Sequence, residues 1–328
     1  MMNKILVIQT AFIGDVILAT GMLESLHIAF PNAQIDFLVR RGNEALVKEH
    51  PFINEVIVWD KKAAKYASML KIIMRARQTK YDAVFNLQRF ASSGIITALS
   101  GAKVKYGFSK NPMSFTFTQS YPHIIASKGE QSLHETQRNF GMLSDFPDTT
   151  YHRPKVYPSS HDFQKIESFT TDRFVTISPA SVWETKKFPS EKWIELIHRL
   201  NCRVVLLGGA GDRELCKEIA DKCQNRVVQV LAGDLTLLQS AALMSKAHMN
   251  YTNDSGPLHL ASAMNAPTTA VFCSTIPEFG FGPTSDKSSV VQTTLDLTCR
   301  PCGLHGHKKC PEGHFKCGLS IQIDQLID

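Results

Sequence analysis

The stretch KILVIQTAFIGDVILAT, residues 4–20, decides the fold. Residues 4–9 are a run of aliphatic and β-branched side chains that reads as a buried strand. From Val16 onward the apolar residues take helical spacing, and a short loop with Gly14 and Asp15 lies between. A strand, a glycine-containing loop and a helix in direct succession open a βα unit. The segment is apolar, but Gln9, Thr10 and Gly14-Asp15 interrupt it and no small-residue cleavage site follows, so it does not read as a signal peptide. No stretch reaches the roughly 18 uninterrupted apolar residues of a membrane span. The expected location is therefore cytoplasmic, with the eight cysteines reduced or bound to metal.

The same alternation runs through all 328 residues. In the first half, IDFLV (35–39), EVIVW (55–59) and DAVFNL (82–87) read as strands. Residues 62–78, 91–99 and 134–146 have helical spacing. The second half restarts with RFVTISP (173–179) and continues with strands RVVLLGG (203–209), RVVQVL (226–231), HMNYT (248–252), TTAVFC (268–273) and SVVQT (289–293). Helices are expected at 190–200, 212–223, 236–246 and from Pro257. Continuously apolar strands separated by helices belong to parallel sheets covered on both faces. Residues 147–162, PDTTYHRPKVYPSSHD, lack periodicity and read as the linker. The expectation is an α/β protein of two doubly wound, Rossmann-like domains, 1–150 and 151–328, with ligand in a cleft at their strand C-termini.

Composition narrows the function classes. A hydrophobic fraction of 43% with 20% charged residues is that of a globular protein. The net charge of +6, from 36 basic and 30 acidic residues, is a mild excess that suits an anionic small molecule or an acidic surface. No dense basic-aromatic stripe or recognition motif points to nucleic acid. Residues 60–80, DKKAAKYASMLKIIMRARQTK, read as a basic amphipathic helix whose apolar side is Tyr66, Met69, Leu70, Ile73 and Met74. Such a helix is either a solvated face or a surface for anionic lipid or glycolipid.

Three loops carry the candidate chemistry. Asp15 stands where a strand gives way to a helix and is either a helix cap or a general base. Asparagine caps as well as aspartate, so Asp15→Asn separates the two. Lys186 and Lys187 precede Phe188-Pro189 in the loop after 173–179, placed to contact a phosphate. In TNDSGPLHLASAMNAPT, residues 252–268, Asp254, Ser255, Gly256 and Pro257 open a helix. A helix N-terminus with a glycine for close approach is an anion site, and Asp254 there suits sugar hydroxyls. His259, one turn in, is a packed histidine or a further ligand contact. GGAGDRE (208–214) matches only part of a dinucleotide fingerprint, with Glu214 where the third glycine belongs. CRPCGLHGHKKCPEGHFKC (299–317) spaces Cys299, Cys302, Cys310 and Cys317 as CxxC-x7-C-x6-C, a candidate structural zinc site or a loop of reduced thiols.

FIGDVILAT and TNDSGPLHLASAMNAPT, with KKFP between them, resemble glycosyltransferase family 9, the ADP-heptose:lipopolysaccharide heptosyltransferases. The likeness runs from Lys4 to the cysteine-rich segment. It implies a GT-B architecture, with the acceptor bound mainly by the first domain and the sugar nucleotide by the second. It also implies an inverting, metal-independent transfer of heptose from ADP-heptose to a lipid A or inner-core acceptor at the inner face of the cytoplasmic membrane. In that resemblance Asp15 matches the base, Lys186 the lysine on the diphosphate and Asp254 the acid on the donor sugar. Ser255 and Gly256 match the phosphate-binding turn. At 235–239, LTLLQ offers Gln239 where members often carry an acidic residue near the ribose. No cofactor is required in this scheme. The alternatives are a glycosyltransferase using another nucleotide sugar or glycan, a GT-B sugar-nucleotide epimerase, and a non-catalytic sugar-binding protein.

Overall fold

The computed structural model describes residues 2–146 and 149–327. The chain divides into two compact units, residues 1–124 with 133–157, and residues 125–132 with 158–328.

The first unit is built on β1 (Lys4–Ile8), β2 (Gln34–Arg40), β3 (Glu55–Trp59), β4 (Ala83–Asn86), β5 (Val104–Phe108) and β6 (Gln119–Tyr121). They form one sheet in the order β3-β2-β1-β4-β5-β6, every pairing parallel. Ile5 to Ile8 are fully buried, as a strand covered on both faces requires. The helix Ile13–Ala29 leaves β1 and is buried without a break from Val16 to Leu26. The chain lays down β1, β2 and β3 in one direction and then returns to place β4 on the other side of β1. That reversal is the topological switch point, where the loops after β1 and β4 part and leave room for a ligand.

The second unit repeats the plan with β7 (Phe174–Ser178), β8 (Arg203–Leu206), β9 (Val228–Val230), β10 (Asn250–Asn253), β11 (Thr268–Phe272) and β12 (Ser288–Gln292). Its order, β12-β11-β10-β7-β8-β9, is again wholly parallel and puts the switch point between β7 and β10. Ile177, Phe188, Trp193, Leu206 and Val271 centre its core.

Three details depart from the sequence reading. β5 and β6 were not anticipated, because VKYGF and QSY mix polar residues and a glycine into short strands toward the sheet edge. The helix expected over 134–146 is Glu135–Phe140 followed by a single tighter turn, Gly141–Leu143. Much of the expected linker is a packed strap, although Pro147 and Asp148 lie outside the described residues. His152 N donates to Ser25 Oγ at 3.3 Å, Lys155 N to Thr20 Oγ1 at 2.9 Å and Tyr157 OH to Glu24 Oε1 at 2.9 Å. The strap crosses the helix Ile13–Ala29 at Gly21, where a Cβ would meet His152 O at 2.6 Å. Residues 151–157 therefore pack with the first unit, and the division falls after Tyr157.

Candidate active site

In the second unit the chemistry gathers at the switch point. Asn253, the fully buried last residue of β10, organises the loop that follows β7. Its Nδ2 donates to Pro179 O at 2.8 Å and its Oδ1 accepts from Phe188 N at 2.9 Å. One amide thus pins both ends of the 179–188 loop, and Lys186 lies in the turn between them. Lys186 Nζ meets Asp254 Oδ2 at 2.6 Å, with the two side chains 14% and 7% exposed. Thr275, in the loop after β11, donates its hydroxyl to the same Oδ2 at 2.6 Å. A pair this sheltered from water interacts far more strongly than a surface pair, and the third contact fixes its geometry.

The helix Gly256–Ala263 begins beside this pair, with Ser255 as its N-cap and Pro257 in the first turn. The Ser255 hydroxyl does not cap the helix; it turns to Asn253 O at 3.3 Å. The first N–H groups of the helix, at the positive end of its dipole, therefore take no bond from that hydroxyl. Lys187 pairs with Glu184 at 2.7 Å. Gln239 belongs to a capping box with Thr236, its Oε1 accepting from Thr236 N at 3.0 Å. His259 is buried within the helix.

In the first unit Asp15 sits in the first turn of a helix whose N-cap is Phe12, so of the two roles read for it, cap and general base, the cap position belongs to another residue. Burial raises its pKa to about 6 and the nearby Glu135 carboxylate adds to the rise. The Phe12 and Asp15 backbone N–H groups and the Arg89 charge work against it. Glu135 is itself buried, with His123 Nε2 at 3.0 Å and Arg138 Nε at 2.9 Å. Burial alone would raise its pKa, but His123 and Arg138 together hold it below the usual carboxylate range. A fixed negative charge therefore stands near Asp15 and keeps it a stronger base than an ordinary aspartate.

Cations ring the same edge. Lys61 Nζ donates to Thr10 O at 2.8 Å and to Thr10 Oγ1 at 2.9 Å. Its pKa falls to about 8 through burial, with Arg40 and Lys65 repelling its charge. The guanidinium of Arg40 lies over the Phe12 ring, 4.7 Å from its centre. The sequence placed Lys61 in a basic helix over 60–80, but the helix starts at Lys65. Asp60 Oδ1 accepts from Lys62 N and Ala63 N, making a turn that carries Lys61 toward Thr10. Glu135, Arg89, Thr275 and Asn253 were likewise missed as site residues. Only Asn253 had a signal, as the first letter of the quoted ND pair.

Cys299, Cys302, Cys310 and Cys317 are all free thiols. Burial raises Cys302 and Cys317, the latter to about 11, and the neighbouring thiols push them further. Among the described residues no three His, Cys, Asp or Glu side chains stand in metal-ligating positions. The sequence left this segment as a structural zinc site or a loop of reduced thiols, and in the described residues the four thiols are not bonded to one another.

Two doubly wound parallel sheets of this order make the GT-B fold, the fold of a large class of nucleotide-sugar glycosyltransferases. The model of glycosyltransferase family 9 (heptosyltransferase) matches residues 69–314, and the chain belongs to that family. Lipopolysaccharide heptosyltransferase 3 of Escherichia coli is 29% identical over 280 residues, covering 80% of this chain and 82% of that protein. Among solved structures, E. coli ADP-heptose LPS heptosyltransferase II superposes with a TM-score of 0.74 at 22% identity, covering 91% of this chain and 95% of that one. E. coli heptosyltransferase WaaC with ADP gives 0.71 at 21% identity, covering 88% and 93%. The protein is a glycosyltransferase of the heptosyltransferase type.

Proposed function

We propose that this protein transfers heptose from ADP-heptose to an anionic inner-core acceptor of lipopolysaccharide, with inversion at the anomeric carbon and without a metal ion. The observation that carries the reading is the sheltered Lys186–Asp254 pair beside the N-terminus of Gly256–Ala263, in a chain of the heptosyltransferase family. Lysine has three N–H donors, so Lys186 can keep Asp254 and still reach a phosphate oxygen. Asp254 uses Oδ2 for both Lys186 and Thr275, which leaves Oδ1 for a sugar hydroxyl.

In the reaction Asp15, ionised above its pKa of about 6, takes the proton from an acceptor hydroxyl. That oxygen attacks the anomeric carbon from the face opposite the nucleotide, and the bond to the β-phosphate oxygen breaks. Lys186 and the helix N-terminus stabilise the charge that gathers on the departing ADP. Arg40, Lys61 and Arg89, at or just past the C-terminal ends of strands of the first sheet, attract an anionic acceptor.

A peripheral contact with the membrane is part of the proposal. The outward face of the helix Lys65–Thr79 carries Tyr66, 73% exposed, Leu70, 56% exposed, and Met74, with Lys71 and Arg77 alongside. An apolar stripe between cations suits an anionic leaflet. No helix among the described residues is long and apolar enough to cross a membrane. A structural zinc on the four clustered thiols would need their loop to close around it, and elemental analysis of purified protein tests for it.

The test of the donor assignment is calorimetric titration with ADP, UDP, GDP and NAD, beside the Lys186→Ala variant. Selective ADP binding that weakens in the variant supports the reading. Selective UDP or GDP binding would keep the glycosyltransferase and overturn the heptose assignment.

A further inference from the structure

The transfer chemistry leaves the cysteine-rich segment 299–317 unused, yet that segment is built onto both sides of the Lys186–Asp254 pair. On the lysine side, Thr185 and His307 exchange two hydrogen bonds. Thr185 N donates to His307 O at 3.1 Å, and His307 N donates to Thr185 Oγ1 at 2.8 Å. Gly306 makes this approach possible. Its φ of +75° lies in the left-handed region, and a Cβ there would stand 2.8 Å from Thr185 Oγ1, 3.0 Å from Ser274 Oγ and 3.4 Å from Lys186 Cγ.

On the aspartate side the buried Arg300 grips the chain just past β11. Its Nε donates to Cys273 O at 2.7 Å, and its terminal nitrogen donates to Thr275 O at 2.7 Å and Gln292 Oε1 at 2.7 Å. Cys302 N donates to Ser274 O at 2.9 Å. Thr275 is the residue whose hydroxyl holds Asp254. The segment therefore reaches Lys186 through Thr185 and Asp254 through Thr275, one intermediate residue on each side.

We propose that the cysteine-rich segment is the positioning element of the donor site, with Gly306, Thr185 and Arg300 holding the Lys186–Asp254 pair where a sugar diphosphate meets it. The inference rests on the reading of that pair as the donor site. None of the three need touch the substrate; each acts through the position of the ion pair. Displacing a charged group by about 1 Å is enough to cost up to about 100-fold in rate. The consequence is directional: a change in the segment raises the KM for the nucleotide sugar and leaves the KM for the acceptor alone.

The test uses the full chain and four variants, Gly306→Ala, Thr185→Val, Thr185→Ser and Lys186→Ala, with ADP affinity by calorimetry and separate KM values for donor and acceptor. Gly306→Ala and Thr185→Val are expected to weaken ADP roughly 10- to 100-fold, the loss of one hydrogen bond to a charged group, while Thr185→Ser, which keeps the accepting hydroxyl, stays near wild type. If Gly306→Ala does not fold, the Thr185 valine and serine variants decide alone. Loss of ADP binding in Lys186→Ala with wild-type affinity in Gly306→Ala and Thr185→Val overturns the positioning role and spares the donor site. A Thr185→Ser variant as weak as Thr185→Val also overturns it. Wild-type affinity in Lys186→Ala overturns the donor-site reading, and this inference with it.

Discussion

Replacing Asp15 by asparagine should make the protein more stable and nearly inactive at once. Asp15 has its pKa raised from 3.8 to about 6, chiefly by burial and then by Glu135. Each tenfold change in proton affinity corresponds to about 1.4 kcal/mol, so holding the ionised carboxylate in the fold costs on the order of 3 kcal/mol. Between pH 3.8 and about 6 the folded state holds the proton and the unfolded state has released it, so stability falls as pH rises through that window. The cost is absent below the window and complete above it. Asparagine keeps the shape and removes the charge. Paired thermal melts of wild type and Asp15→Asn should coincide near pH 4 and separate toward pH 7.5, with the variant higher. At about 2–4 °C per kcal/mol for a unit of this size, the gap is several degrees. The same substitution removes the proton acceptor and should lower turnover about 10²- to 10⁴-fold, and wild-type kcat/KM should fall on the acid side with an apparent pKa near 6. A gap that does not change with pH would mean that Asp15 carries no buried charge, and a variant that keeps its turnover would mean that it is not the base.

Three further outcomes follow from the site. Asn253→Ala frees both ends of the 179–188 loop and leaves Phe188 N and Pro179 O without their partner; urea titration should show a loss of about 1–3 kcal/mol, with weaker ADP binding in calorimetry. Because Lys186 and the helix N-terminus carry the leaving-group charge in this scheme, Mg²⁺ or Mn²⁺ added to a metal-free assay should leave kcat unchanged, and a metal requirement would contradict it. Replacing Tyr66 and Leu70 by serine should reduce sedimentation with vesicles rich in anionic phospholipid while leaving ADP affinity as it was.

Much of this architecture is written locally. KILVI, FVTIS and TTAVF are dominated by aliphatic and β-branched side chains without polar alternation, the pattern of strands buried on both faces, and the helices between them then require parallel strands. Asp15, Lys186 and Asp254 could be singled out because each stands shortly after a strand, at the edge where a doubly wound sheet binds its ligand. What was not legible depends on partners distant in the chain. Asp254 read alone is a sugar contact; only the fold shows that Lys186 and Thr275 share its Oδ2. The His123–Glu135–Arg138 cluster that conditions Asp15 comes from residues more than a hundred positions away and carries no motif. Lys61 was misassigned because its neighbours Lys62 and Lys65 continue a helical charge pattern across a turn that only Asp60 marks. Ser255 has the right residue type for a cap and the right position, yet its hydroxyl bonds to Asn253 O instead. Position alone did not fix that rotamer.

The most direct test of the account is acceptor-dependent ADP release. Purified protein would be given ADP-heptose with Kdo- or heptose-terminated lipid A acceptors, and UDP- and GDP-sugars in parallel. ADP release is expected to require an acceptor and to be lost in Asp15→Asn. No release with any of these acceptors, or turnover only with a UDP- or GDP-sugar, would contradict it.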